Sequence, residues 1–451
     1  MSLLAIDWNV FFVKAGQFVL SFSILVVLHE LGHFLPAKWF GCRVEKFYLF
    51  FNPWFSLVKK KVGETEYGLG WVPFGGYVKI SGMVDESMDK EAMKQPAKPY
   101  EFRSKPAWQR LIIMLGGVTV NVILAIIIFI GITWVWGEEY LPPQNVKYGL
   151  AVDSLGKSIG LKDGDLIIKT DGKPVRDESK VALYIAQHET KRIGVLRNGS
   201  EIELSVPETM TGSLNKSRGG DFATLRFPGI VDGFAKESNA EKAGLKKGDK
   251  LVGVDSVSTS YFHEFQQEIK KRTGRNALIH IMRGADSISL PVKVSEEGMI
   301  GVAPLGDFDK LGFRLETKQY NFLESIPAGM ERCWNTLTGY VRGLKQIFTG
   351  KVKAKDSLGS VISIGSVFPG QWDWQSFWTL TGIFSIILAF MNVLPIPALD
   401  GGHALFTLSE MITGRKPSDK FMEYAQMVGM VLLLGLMAYA MGLDIWRLFK
   451  K

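Results

Sequence analysis

Four stretches of the chain are aliphatic and aromatic almost throughout: Ala15–Ala37, Leu111–Gly137, Trp374–Leu399 and Tyr424–Leu443. Glu30 is the only Asp, Glu, Lys or Arg in any of them. Each has about the 20 residues that a helix needs to cross a bilayer. Between the second and third, Glu138 to Asp373 has the mixed composition of soluble domains. After that section's repeats, Leu323, Ile326, Met330, Trp334, Leu337, Val341, Leu344 and Phe348 recur at steps of three and four, which predicts an amphipathic helix on the membrane surface or against the bundle. Glu66 to Ile80 is aromatic and β-branched, broken by glycine, and predicts a strand, a tight turn and a second strand. This membrane-associated β-hairpin has Gly75, Gly76 and Tyr77 as its candidate edge for an extended substrate; a hairpin that only packs is the alternative.

The middle section repeats itself. Gly160-Leu161-Lys162-Asp163-Gly164-Asp165-Leu166-Ile167 returns 84 residues later as Gly244-Leu245-Lys246-Lys247-Gly248-Asp249-Lys250-Leu251. Each copy follows a short apolar strand, so two domains of one fold are expected. The phrase resembles the strand-turn of bacterial PDZ domains, β-sandwich modules that take peptide ends by strand addition. In the first copy Ser154-Leu155-Gly156-Lys157-Ser158 stands where a Pro-Ala helix start is common. Peptide capture and a steric filter over the membrane are both open for this pair. The expected fold is thus an α-helical membrane protein with four spans, a β-hairpin region and two inserted PDZ-like domains on the extracytoplasmic side. Its divisions are an N-terminal membrane core (1–137), the PDZ-like domains (138–222 and 223–304), the amphipathic helix with its linker (305–373) and a C-terminal membrane core (374–451).

Composition agrees with a mixed architecture. The 451 residues are 47% hydrophobic, and the mean hydropathy is +0.11. The net charge of +8 sits largely beside the apolar stretches, as anionic headgroups favour, and no nucleic-acid reader motif accompanies it. No nucleic-acid partner is expected. The N-terminus lacks a basic start, so no cleavable signal peptide is expected either. Lys38 to Arg110 holds thirteen Lys and Arg, and the Asp400–Glu423 loop adds Arg415, Lys416 and Lys420. By the positive-inside rule both loops are cytoplasmic, against a weaker contrary signal from Arg447, Lys450 and Lys451. Spans one and three then run the same way, which lets their C-terminal ends meet. Cys42 and Cys333 fall on opposite sides of the membrane and cannot pair.

Candidate chemistry lies in the first span. His29-Glu30-Leu31-Gly32-His33 puts two imidazoles on one helix face with a carboxylate beside them, the arrangement of a zinc-dependent hydrolase. At 1.5 Å per residue the histidines lie roughly 8–14 Å in from the cytoplasmic end of the span. Span three ends as Asn392-Val393-Leu394-Pro395-Ile396-Pro397-Ala398-Leu399-Asp400. Its prolines free backbone groups that membrane depth tolerates only where protein or water satisfies them. Asp400 is the candidate third zinc ligand, or else a solvated carboxylate at a helix end. Glu30 is the candidate general base, and Asn392 a candidate donor to a substrate backbone. Asn121, with Gly116 and Gly117 in span two, is a polar group at depth and a further candidate for the site, as a substrate-binding residue. His188, His263, His280 and His403 read as ordinary surface or core residues.

Taken together, His29-Glu30-x-x-His33, Pro73-Phe74-Gly75-Gly76-Tyr77-Val78, Gly116-Gly117 with Asn121, the tandem repeat, and Asn392-x-x-Pro395-x-Pro397-x-x-Asp400-Gly401 resemble the site-2 protease family, nearest its regulator-of-sigma-E branch. Gly116-Gly117 stands where that branch often has Gly-Pro. The resemblance implies zinc, a bacterial inner-membrane location, and cleavage of single-span membrane proteins such as an anti-sigma factor in an envelope-stress response, or of remnant signal peptides. A membrane metal transporter and a non-catalytic PDZ scaffold are the competing classes.

Overall fold

The structure is a computed structural model that describes residues 7–83, 96–216, 222–357 and 359–449. It falls into two compact units. The first takes the described parts of Met1–Gly137, Gln319–Val341 and Leu358–Lys451; the second is Glu138–Lys318 with Arg342–Ser357.

In the first unit four helices are long and apolar enough to cross a membrane: α1 (Trp8–Trp39), α2 (Ala107–Trp136), α4 (Trp374–Val393) and the greater part of α6 (Asp419–Phe449). Helix α1 starts about two turns before the apolar run, because Asp7 caps it and the Lys14 ammonium reaches the Ser366 carbonyl at 2.8 Å. Helices α1 and α4 lie side by side and parallel. Ser21 and Thr381 hydrogen-bond between their middles, Gln17 donates to the Pro369 carbonyl at one end, and Asn392 meets His29 toward the other. The amphipathic pattern forms the 27-residue helix α3 (Phe322–Phe348). Cys42 and Cys333 are both buried and unpaired.

The third apolar stretch extends to Leu399 in the sequence, but its helix stops at Val393. Pro395 cannot donate to the helix, and Ala398 takes a left-handed backbone, φ +77°. The chain turns there, and a separate helix α5 (Asp400–Thr413) begins where the sequence suggested a loop.

A four-stranded sheet joins α1 to α2: β1 (Val44–Phe51), β2 (Val58–Val62), β3 (Thr65–Leu69) and β4 (Val72–Ile80), in the order β2-β3-β1-β4. This corrects the expected hairpin. Both strands of Glu66–Ile80 exist, yet they do not pair with each other, because β1 lies between them, parallel to β3 and antiparallel to β4. The link Gly70-Trp71 crosses past the end of β1, where Gly70 donates to the Leu49 carbonyl. A side chain at residue 70 would run into the Phe51 carbonyl, so only glycine makes this crossing. Among the described residues β4 is thus an outer strand of the sheet and not half of a hairpin.

The second unit carries two four-stranded sheets of matching plan. Strands Leu166–Thr170 and Lys250–Val254 each begin at the last two residues of one copy of the repeat. Glycines 160 and 164 take φ of +90° and +95°, and their counterparts 244 and 248 take +95° and +93°. Asp165 accepts from the Lys162 amide and pairs with Arg197; Asp249 accepts from the Lys246 amide and pairs with Arg283. Each arginine also donates to the first glycine's carbonyl. Separate apolar cores, one around Ile167, Ile193 and Phe222 and one around Phe265, Ile279 and Ile281, back the two sheets.

Candidate metal centre

Two helices meet almost backbone to backbone at the centre of the first unit. Gly32 of α1 packs on Gly116 and Gly117 of α2, and a methyl group on any of the three would strike the facing backbone or the rings of His29 and His33. This close approach holds both imidazoles against α2. One turn apart on α1, they turn their Nε2 atoms toward each other at 3.3 Å. Asp400, in the first turn of α5, brings Oδ2 to 3.2 Å from His29 Nε2 and 3.3 Å from His33 Nε2. Residues from near both ends of the sequence thus supply three ligand atoms to one point.

The donor set fits a metal ion. His33 Nδ1 lies 2.8 Å from the Ile113 carbonyl, which can only accept, so the proton sits on Nδ1 and the Nε2 lone pair faces the cluster. Asp400 Oδ2 is buried without a hydrogen-bond donor among the described residues. Lone pairs gathered out of water repel one another unless a cation lies between them. For ligands 2.0–2.1 Å from a tetrahedral zinc ion, neighbouring donor atoms stand about 3.3 Å apart, as these three do.

Glu30 shares a cavity of about 420 Å³ with His29, His33 and Asp400. Strand β4 forms part of its wall, with Gly76, Tyr77 and Val78 along it, and Gly76 lies against Val26 and Glu30. Gly75 takes φ +88° one residue earlier, and the Tyr77 hydroxyl donates to Asn52 at 2.9 Å. Asn392 places its amide nitrogen 3.3 Å from His29 Nε2. Asn121 has no exposed surface; its amide sits 3.1 Å from His29 Nδ1. The sequence reading passed over His403, which lines the cavity one turn beyond Asp400 and meets Gln426 at 2.6 Å. Its place directly after Asp400-Gly401-Gly402, at helical spacing, was the available signal.

The model of peptidase family M50 matches residues 17–436. The chain belongs to this family. Among its relatives, the "Regulator of sigma-E protease RseP" of Escherichia coli (strain K12) is 27% identical over 456 residues, covering 96% of this chain and 98% of the relative. The "Regulator of sigma E protease" of Haemophilus influenzae is 25% identical over 454 residues, with 96% and 98% covered. A Xylella fastidiosa (strain 9a5c) protein called "Putative zinc metalloprotease" is 29% identical over 455 residues, with 95% and 98% covered. This M50 peptidase is therefore a zinc metalloprotease, with four helices suited to a membrane among its described residues.

Proposed function

We propose that the chain hydrolyses peptide bonds within the membrane segments of single-span proteins, with zinc held by His29, His33 and Asp400. The observation that carries this reading is the convergence of those three side chains and Glu30 on one cavity within a set of apolar helices. The chemistry zinc supplies when bound is Lewis acidity, enough to make a water molecule give up its proton near neutral pH. Glu30 takes that proton and passes it to the leaving amine. The Asn392 amide, beside His29, holds the substrate carbonyl.

A helical substrate hides its carbonyls in its own hydrogen bonds and must be drawn out locally. Strand β4 is the place for the extended segment, added along Gly75, Gly76 and Tyr77 next to Glu30. The repeat domains are read as PDZ modules on the extracytoplasmic side of a bacterial inner membrane, where they exclude bulky substrates or take peptide ends. The names of the sigma-E relatives support an anti-sigma factor as one substrate, and remnant signal peptides are a second class. The test is cleavage of single-span substrates by the purified chain in detergent, with and without a chelator. Glu30→Gln should abolish cleavage while zinc content stays at one per chain; undiminished cleavage by this variant would refute the assignment.

A further inference from the structure

We infer that Asn121 holds His29 in its metal-ligating form and that Ser385 holds Asn121, a relay that rests on the zinc site proposed above and deepens it. An imidazole offers a lone pair from one ring nitrogen while the other carries the proton. His29 points Nε2 at Asp400 and His33, so a metal bound there requires N–H at Nδ1. That N–H points at the wholly buried Asn121 and needs an acceptor there. For His33 the acceptor is the Ile113 carbonyl of α2; for His29 the group in place is the Asn121 side-chain amide of the same helix, 3.1 Å away.

The amide orientation carries the argument further. Its nitrogen faces His29 Nδ1, while Oδ1 is buried with no partner among the described residues. With the proton on Nδ1 this arrangement would set N–H against N–H. The two ends of a carboxamide have nearly the same shape, so a half-turn about its last torsion places Oδ1 on the Nδ1 proton without moving the helix. Asn121 thereby fixes the tautomer and the ring plane of His29, as second partners of zinc-binding histidines do. Ser385 of α4 donates to the Asn121 main-chain carbonyl at 2.7 Å, with both residues wholly buried. The contact pins α2 to α4 at the height of His29. Ser385 and Asn121 are positioning residues, acting on the metal only through His29.

The experiment compares the full-length chain with Asn121→Leu, Asn121→Asp and Ser385→Ala in detergent. Zinc affinity is read by chelator competition, and melting in excess chelator gives the stability of each metal-free protein. Loss of a partner of this kind weakens metal binding about 10–100-fold, and that is expected of Asn121→Leu. Asn121→Asp, which can only accept, should bind zinc at least as tightly as the parent, and Ser385→Ala should lose a few-fold. If Asn121 served packing alone, the order would reverse, with Leu tolerated and a buried Asp harmful; that order overturns the inference. Failure of the unsubstituted chain to bind zinc would instead sink the metal site itself and take the relay with it.

Discussion

Glu178 shows how one buried carboxyl ties stability to pH. Its side chain is 2% exposed; Oε1 accepts from the Ile167 amide, and Oε2 has no partner among the described residues. Burial pushes its pKa from 4.5 up to about 8. A folded-state pKa above the unfolded one means that the contribution is complete below about pH 4.5 and is lost as pH rises through about 8. The melting temperature of the second unit should therefore fall from about pH 4.5 to about 8 and level off above that, and Glu178→Gln should flatten the fall. An unchanged pH profile in the variant would remove Glu178 as the cause. Nothing in the sequence marks Glu178, since burial of a lone carboxyl depends on the packing around it. His29, Glu30 and His33 were legible because their spacing is a local property of one helix. Asp400 needed the parity of the spans as well.

Helix contacts decide whether these residues meet. The α1–α2 crossing depends on the absence of side chains at Gly32, Gly116 and Gly117. Gly116→Ala must push the helices apart, at a cost of about 1–3 kcal/mol for overpacking. It should lower both the melting temperature and the zinc content, read by thermal unfolding and metal analysis. Farther along, Arg110 at the start of α2 pairs with Glu410 of α5, and the guanidinium is buried. Removing one member of a buried pair costs about 3–5 kcal/mol. Arg110→Met should destabilise toward that range, and Arg110→Met with Glu410→Leu should recover most of the loss in the same unfolding assay. The spans were legible as elements because hydrophobicity over some 20 residues has few other readings. The sheet was less so: strand propensity marked Glu66–Ile80 correctly, but pairing is set by the earlier strand Val44–Phe51, and the local pattern carries no record of that partner. Helix α5 was missed because its first residues, Asp400-Gly401-Gly402, resemble a turn and gain their helical form from packing beneath the proline break.

At the scale of the whole molecule, the repeat was the clearest long-range message in the chain, since its two copies fold with the same left-handed glycines and the same Asp–Arg pair. The joining of the spans was harder to read, because contacts such as Ser21 with Thr381 link residues far apart in sequence. The same remoteness has a practical outcome. His29 and His33 stand before the long middle section and Asp400 after it, while α2 packs against both α1 and α4. A break in the polypeptide inside that middle section would leave each fragment with part of the ligand set and a surface made for the other. Co-produced fragments should find each other in the bilayer and hold together more firmly with zinc than with chelator, as co-purification would show. The ion would then act as a rivet between two separately made pieces.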